Sequence, residues 1–98
     1  MDVGEKAQVK ERKTKLQLAK EREVEELKAM LSTYGGRAFY WRLLSQCGVY
    51  KCSFVGDSGL TAFNEGQRSI GLWALEGLFA TSPEIYSLMR NEAIERGK

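Results

Sequence analysis

Ninety-eight residues, 43% of them hydrophobic, carry enough apolar surface for one small core and not for two. Fifteen Lys and Arg against 13 Asp and Glu leave a net charge of +2, too balanced for a dedicated nucleic-acid binder but with room for a local basic patch. The chain has no histidine. The commonest general base and the commonest metal ligand are therefore both missing, no metal or cofactor is expected, and the prior for catalysis falls.

Residues 1–32 hold 15 charged residues, seven acidic and eight basic, with no proline and no aromatic. The stretch KAQVKERKTKLQLAKEREVEELKAMLS is rich in good helix formers. Opposite charges recur three or four residues apart, as in Glu11–Lys15, Arg22–Glu26 and Glu25–Lys28, each adding a few tenths of a kcal/mol. A charged helix is expected from about residue 5 to 32. Its apolar stripe, Val24, Leu27, Met30 and Leu31, lies near the C-terminal end. Val9, Leu16, Leu27 and Met30 share a heptad seam that Lys13, Lys20 and Glu23 interrupt, which is poor material for a stable coiled coil. The last two turns are expected to dock on the body while the first half projects toward solvent or a partner. The alternative is a frayed, charged tail without a role. The stripe supplies the candidate partner contacts, and Lys6, Lys10, Arg12, Lys13 and Lys15 the candidate phosphate contacts.

From Tyr34 onward the character changes, and all ten aromatics lie in residues 34–98. This part is expected to form a compact helical domain over residues 33–98. Gly35-Gly36 is expected to break the first helix. RAFYWRLLSQC then puts Phe39, Tyr40, Leu43, Leu44 and Cys47 at helical spacing, with Gly48 as a C-terminal stop. Cys47 and Cys52 fall short of the four ligands of a structural zinc site. The N-terminus is charged from Asp2 and shows no apolar leader, so both thiols are expected to stay reduced, a small-loop disulfide being the alternative. No run approaches the roughly 20 apolar residues of a membrane span, so no membrane is expected as a partner.

Val49 to Gly59 finds no second strand to pair with and is expected to be an ordered loop pinned by Phe54, with a turn at Gly56-Asp57-Ser58-Gly59. A central helix follows, from about Leu60 to Thr81. Within it Ala62, Gly66, Ser69, Trp73, Gly77 and Ala80 recur at steps of three and four, a stripe of mostly small residues that lets another backbone approach, in a bundle or across subunits. Gly71 falls on the opposite side. Ala62, Gly66, Gly71 and Gly77 are the candidate close-packing positions. Asn64, Glu65, Gln67 and Arg68 are read as a structural clamp that ties the preceding loop to this helix, because one carboxylate without a partner acid or histidine makes thin catalytic machinery. Ser82-Pro83-Glu84 starts a last helix to about Arg96, with Ile85, Leu88, Met89 and Ala93 inward and Ile94 off that stripe. The fold class is all-α: a small bundle of about four helices, one ordered loop and a long charged N-terminal helix.

Cys47 to Met89 resembles a small domain known from tailed bacteriophages, the Bbp-nineteen-like family. The resemblance rests on Cys47-Gly48-Val49, on Ser53, Phe54 and Gly56, on Phe63-Asn64-Glu65-Gly66 with Arg68 and Gly71, and on Pro83-Glu84. It implies a phage virion or morphogenesis component without an attached enzymatic activity, found in the virion and in the host cytoplasm during assembly. The expected partners are other phage virion proteins, of the portal, internal core or capsid, together with sister copies in an oligomer. The alternative is a nucleic-acid-binding accessory of packaging or ejection, which Glu21, Glu23, Glu25 and Glu26 and the lack of aromatics among the basic residues disfavour.

Overall fold

The computed structural model of this chain describes residues 13–98. Among the described residues four helices follow one another: α1 (Lys15–Leu31), α2 (Tyr34–Gln46), α3 (Ser58–Thr81) and α4 (Pro83–Arg96). No strand occurs among the described residues, and the fold is an all-α bundle.

Helix α1 starts later than its composition suggests, because Thr14 and Gln17 form a capping box. The Thr14 hydroxyl accepts from the Gln17 amide at 3.1 Å, and the Gln17 side chain accepts from the Thr14 amide at 3.0 Å. Residues 13 and 14 are not helical, and the turns expected before them lie outside the described residues. Near its other end Leu31 is buried and Leu27 packs against the core, while Lys15–Leu18 and Lys20–Glu26 are exposed.

The break after α1 falls at Ser32-Thr33, and Gly35-Gly36 forms the first turn of α2 instead of ending α1. Thr33 caps that turn: its hydroxyl accepts from the Gly36 amide at 3.0 Å and donates to the Met30 carbonyl at 3.2 Å. Gly36 serves clearance, since a Cβ there would collide with the Met30 carbonyl oxygen. The two helices are thus brought to a near contact that no larger residue admits.

Helix α2 buries a narrower stripe than its spacing promises. Ala38, Tyr40 and Leu44 are inside, whereas Phe39 and Leu43 face out. The helix stops at Gly48, whose φ of 74° is open to glycine at little cost. The loop that follows is not pinned by Phe54, which is 72% exposed. Val49 packs on the core, and Tyr50 shares a hydrogen bond with Tyr86 at 3.0 Å. Ser58 and Gly59 already belong to α3, capped by the Asp57 carboxylate on the Leu60 amide at 2.7 Å.

Ser82 ends α3 through its amide on Leu78 O at 2.8 Å and begins α4 at the same time. Its hydroxyl makes no capping bond, so Pro83 at the first turn and Glu84 near the helix dipole carry the start signal. In α4, Met89 is fully buried, Ile85 and Tyr86 flank the core, and Leu88 faces out, contrary to its spacing.

The core gathers Leu31, Tyr40, Leu44, Ala74, Leu78 and Met89, so every helix contributes at least one side chain. Burying each of the aliphatic members contributes about 1.5–3 kcal/mol. Such a core is thin, and polar ties supplement it. The Tyr40 hydroxyl donates to the Ala74 carbonyl at 2.5 Å and so locks α2 to α3 inside the core.

Candidate functional site: a clamped loop and two open faces

The polar cluster at the start of α3 holds the loop by its middle. Asn64 donates from Nδ2 to the Ser53 carbonyl at 3.3 Å, and the Ser53 hydroxyl donates to Glu65 Oε2. Arg68 donates to Glu65 Oε1 at 3.2 Å from the next turn, and Thr61 Oγ1 accepts from the Val55 amide at 3.2 Å. One carboxylate is therefore bonded on one oxygen by the loop and on the other by its own helix. The Ser53 hydroxyl holds the Glu65 carboxyl below its ordinary range, partial desolvation works against this, and Arg68 adds to the lowering. Gln67 makes no side-chain hydrogen bond to the loop. It lines a cleft of about 260 Å³ with Ser45, Lys51, Cys52, Val55 and Asn64. The cleft is polar, and Cys52 at its edge is an exposed free thiol. Among the described residues no cluster of three or more His, Cys, Asp and Glu side chains is arranged to hold a metal.

The glycines of α3 divide differently from the stripe read in the sequence. Gly71 is buried, and a Cβ there would stand 2.5 Å from Val49 Cγ1 and 2.6 Å from Cys47 Cβ. It is the position where the loop presses on the helix. Gly66, by contrast, has open space where its Cβ would be, and Gly77 would only touch Leu27 at 3.9 Å. Ala62, Gly66 and Ser69 face outward, together with Phe63 at 62%, Ile70 at 60% and Trp73 at 72% exposure. Among the described residues, no helix packs on the N-terminal half of that face.

The second open face belongs to α1. Of its stripe, Leu27 and Leu31 are engaged in the core and are not available to a partner, while Val24 and Met30 remain exposed. At 100° per residue Leu16 lies in line with Leu27 and Leu31, and it is exposed as well. Lys15 is exposed, and Lys13 is paired with Glu21 at 2.6 Å, so little of the basic patch is free here. Lys6, Lys10 and Arg12 lie outside the described residues.

One further tie has no sign in the sequence pattern. Arg37 on α2 donates from Nε and Nη2 to the two carboxylate oxygens of Glu92 on α4, at 2.8 and 3.0 Å, and from Nη1 to the Leu31 carbonyl at 3.1 Å. Three helices meet on one guanidinium. A single Arg and a single Glu 55 residues apart carry no periodic signal, so nothing short of the fold reveals the pair.

Against known proteins, residues 27–91 match the family model described as Bbp19-like phage protein. No curated protein and no solved structure matches the chain. No helix among the described residues is long and apolar enough to cross a membrane.

Proposed function

We propose, from the fact that this chain belongs to the Bbp19-like phage protein family, that it is a small structural or assembly protein of the phage particle, working by protein–protein contact with a portal, internal core or capsid component. The observation that carries this reading is the shape of α1: its last turns are fixed on the body by Leu27 and Leu31, and the same stripe continues outward through Val24 and Leu16, which stay exposed among the described residues. A rigid helix that extends a docked apolar stripe into open space presents its anchors in register. The mixed charges beside the stripe suit side-by-side packing with another helix, and Glu21 already occupies Lys13, which speaks against a free phosphate-binding row.

The test uses phage particles purified from infections in which the protein carries Leu16→Glu and Val24→Glu, with the amount in the particle read by mass spectrometry. Both sites are exposed, so the isolated protein keeps its helical signal. Loss of the variant from particles that contain the native protein supports the reading. Native particles without the protein, in a host that makes it, would overturn the virion assignment.

A further inference from the structure

We infer that the open face of α3 is a self-association surface, on which a second copy of this chain packs antiparallel. The inference goes beyond the α1 contact proposed above and uses a different surface. Along α3, Gly59, Phe63, Gly66, Ile70, Trp73 and Gly77 follow one another at steps of four, three, four, three and four. This is the spacing of a helix-pairing seam. Its middle is exposed at Phe63, Ile70 and Trp73, and Gly66 lies open between them. Near Gly77, Leu27 closes it among the described residues.

The order of small and large residues names the occupant. Turned about a two-fold axis, the seam reads as its own complement: Phe63 meets the partner's Trp73, and Gly66 meets the partner's Ile70. Each Ile then enters a space that lacks a side chain, and the two backbones approach closely. A parallel copy would instead set bulk against bulk and glycine against glycine. The residues beside the middle of the seam, Ala62, Gln67, Ser69 and Ala74, are uncharged. The nearby charges, Glu65 and Arg68, lie on the far side of the helix and are bonded to each other, with Glu65 also bonded to Ser53. At the middle of the seam two identical copies therefore meet without like-charge repulsion. The rival occupant within the chain is residues 1–12, where Met1, Val3 and Val9 are the large apolar side chains and half the positions are charged. That composition matches a face of two aromatic rings and an isoleucine poorly.

Area sets the strength. Four rings from two copies cover at most roughly 600–1,000 Å², below the roughly 1,200–2,000 Å² of a stable complex. The pair is weak and concentration-dependent, and it fills when many copies are held together on one particle.

Sedimentation equilibrium of the full chain, from about 1 µM to about 1 mM, reads it directly. The native chain shifts from monomer to dimer within that range. Gly66→Ile, which has room in the monomer, fills the space the partner's Ile70 needs, and Ile70→Gly removes the side chain. Each variant alone weakens association at least tenfold with its helical circular dichroism retained. Mixed together they pair again, since one chain then supplies two isoleucines and the other two spaces. A native chain that stays monomeric to the top of the range, the result expected if residues 1–12 covered the face, overturns the inference, as does a dimer indifferent to both substitutions, the result expected if two copies met on another surface. Failure to recover on mixing overturns the register. None of these results bears on particle incorporation through α1, which the Leu16 and Val24 variants report separately.

Discussion

Arg37 grips both carboxylate oxygens of Glu92, at 2.8 and 3.0 Å, while its third nitrogen holds the last carbonyl of α1 at Leu31. The geometry is the bidentate fork that favours arginine over lysine. The hydrogen bond from Arg37 holds the Glu92 carboxyl below its ordinary range, and the same bond raises Arg37. A carboxyl with a lowered folded pKa adds stability above its unfolded value, about 4.3, and loses that contribution as pH falls through the folded value. Glu92→Gln is therefore expected to melt lower than the native chain at neutral pH and to lose less further stability below about pH 4.5. Thermal melts at a series of pH values check this. Equal acid dependence in both proteins would remove Glu92 from the account, and Arg37→Lys should restore little of what Arg37→Ala loses.

Two glycines on one helix should respond to alanine with opposite signs. At Gly66 the new methyl meets open space, so the helix gains about 0.5–1 kcal/mol. At Gly71 it would press on Val49 and Cys47, and overpacking of that kind costs about 1–3 kcal/mol, more than the propensity gain returns. Urea unfolding at dilute concentration, where pairing plays no part, gives both values. A stabilised Gly71→Ala would mean that the loop moves aside freely.

These positions also show how far the sequence carries. Four helices, their order and the loop between the second and third are legible from apolar spacing, Gly48 and Pro83, whereas Gly35-Gly36 opens a helix where it reads as a break. The polar cluster shows as a knot too dense for plain surface, yet of its four residues Gln67 makes no bond to the loop. The depth of each face is not legible. Phe39, Leu43 and Leu88 stand at apolar spacing yet face outward, since the bundle offers each helix only a narrow strip of neighbours. The glycines mislead for a similar reason: periodicity places Gly66 and Gly71 on opposite sides but does not say which side the loop will fill.

The clamp should be local in its effect. Ser53→Ala removes the hydroxyl from Glu65, and Glu65→Gln weakens both bonds of that carboxylate. Amide hydrogen exchange in residues 49–57 is expected to speed up in either variant, while the protection of Leu44 and Leu78 in the core stays near native. Parallel loss at the core would mean that the loop supports the whole fold.

Along α1 the cost of truncation should change abruptly. Leu31→Ala empties a fully packed site and is expected to cost about 2–5 kcal/mol, whereas Leu16→Ala on the exposed half stays within about 0.5 kcal/mol. Chemical denaturation of the two variants separates the docked part of the helix from the free part.

The two tryptophans of this chain occupy opposite settings, and that makes the molecule its own optical gauge. Trp41 sits between Tyr50 and Tyr86, with ring centroids 5.9 and 5.8 Å away, whereas Trp73 stands bare on the outer face of α3. Light absorbed by the two phenols passes to Trp41, so its emission follows the closure of the interior. Trp73 emits from water, is open to dissolved quenchers, and follows whatever covers that face. Assembly and unfolding thereby leave separate signatures in a single unlabelled sample.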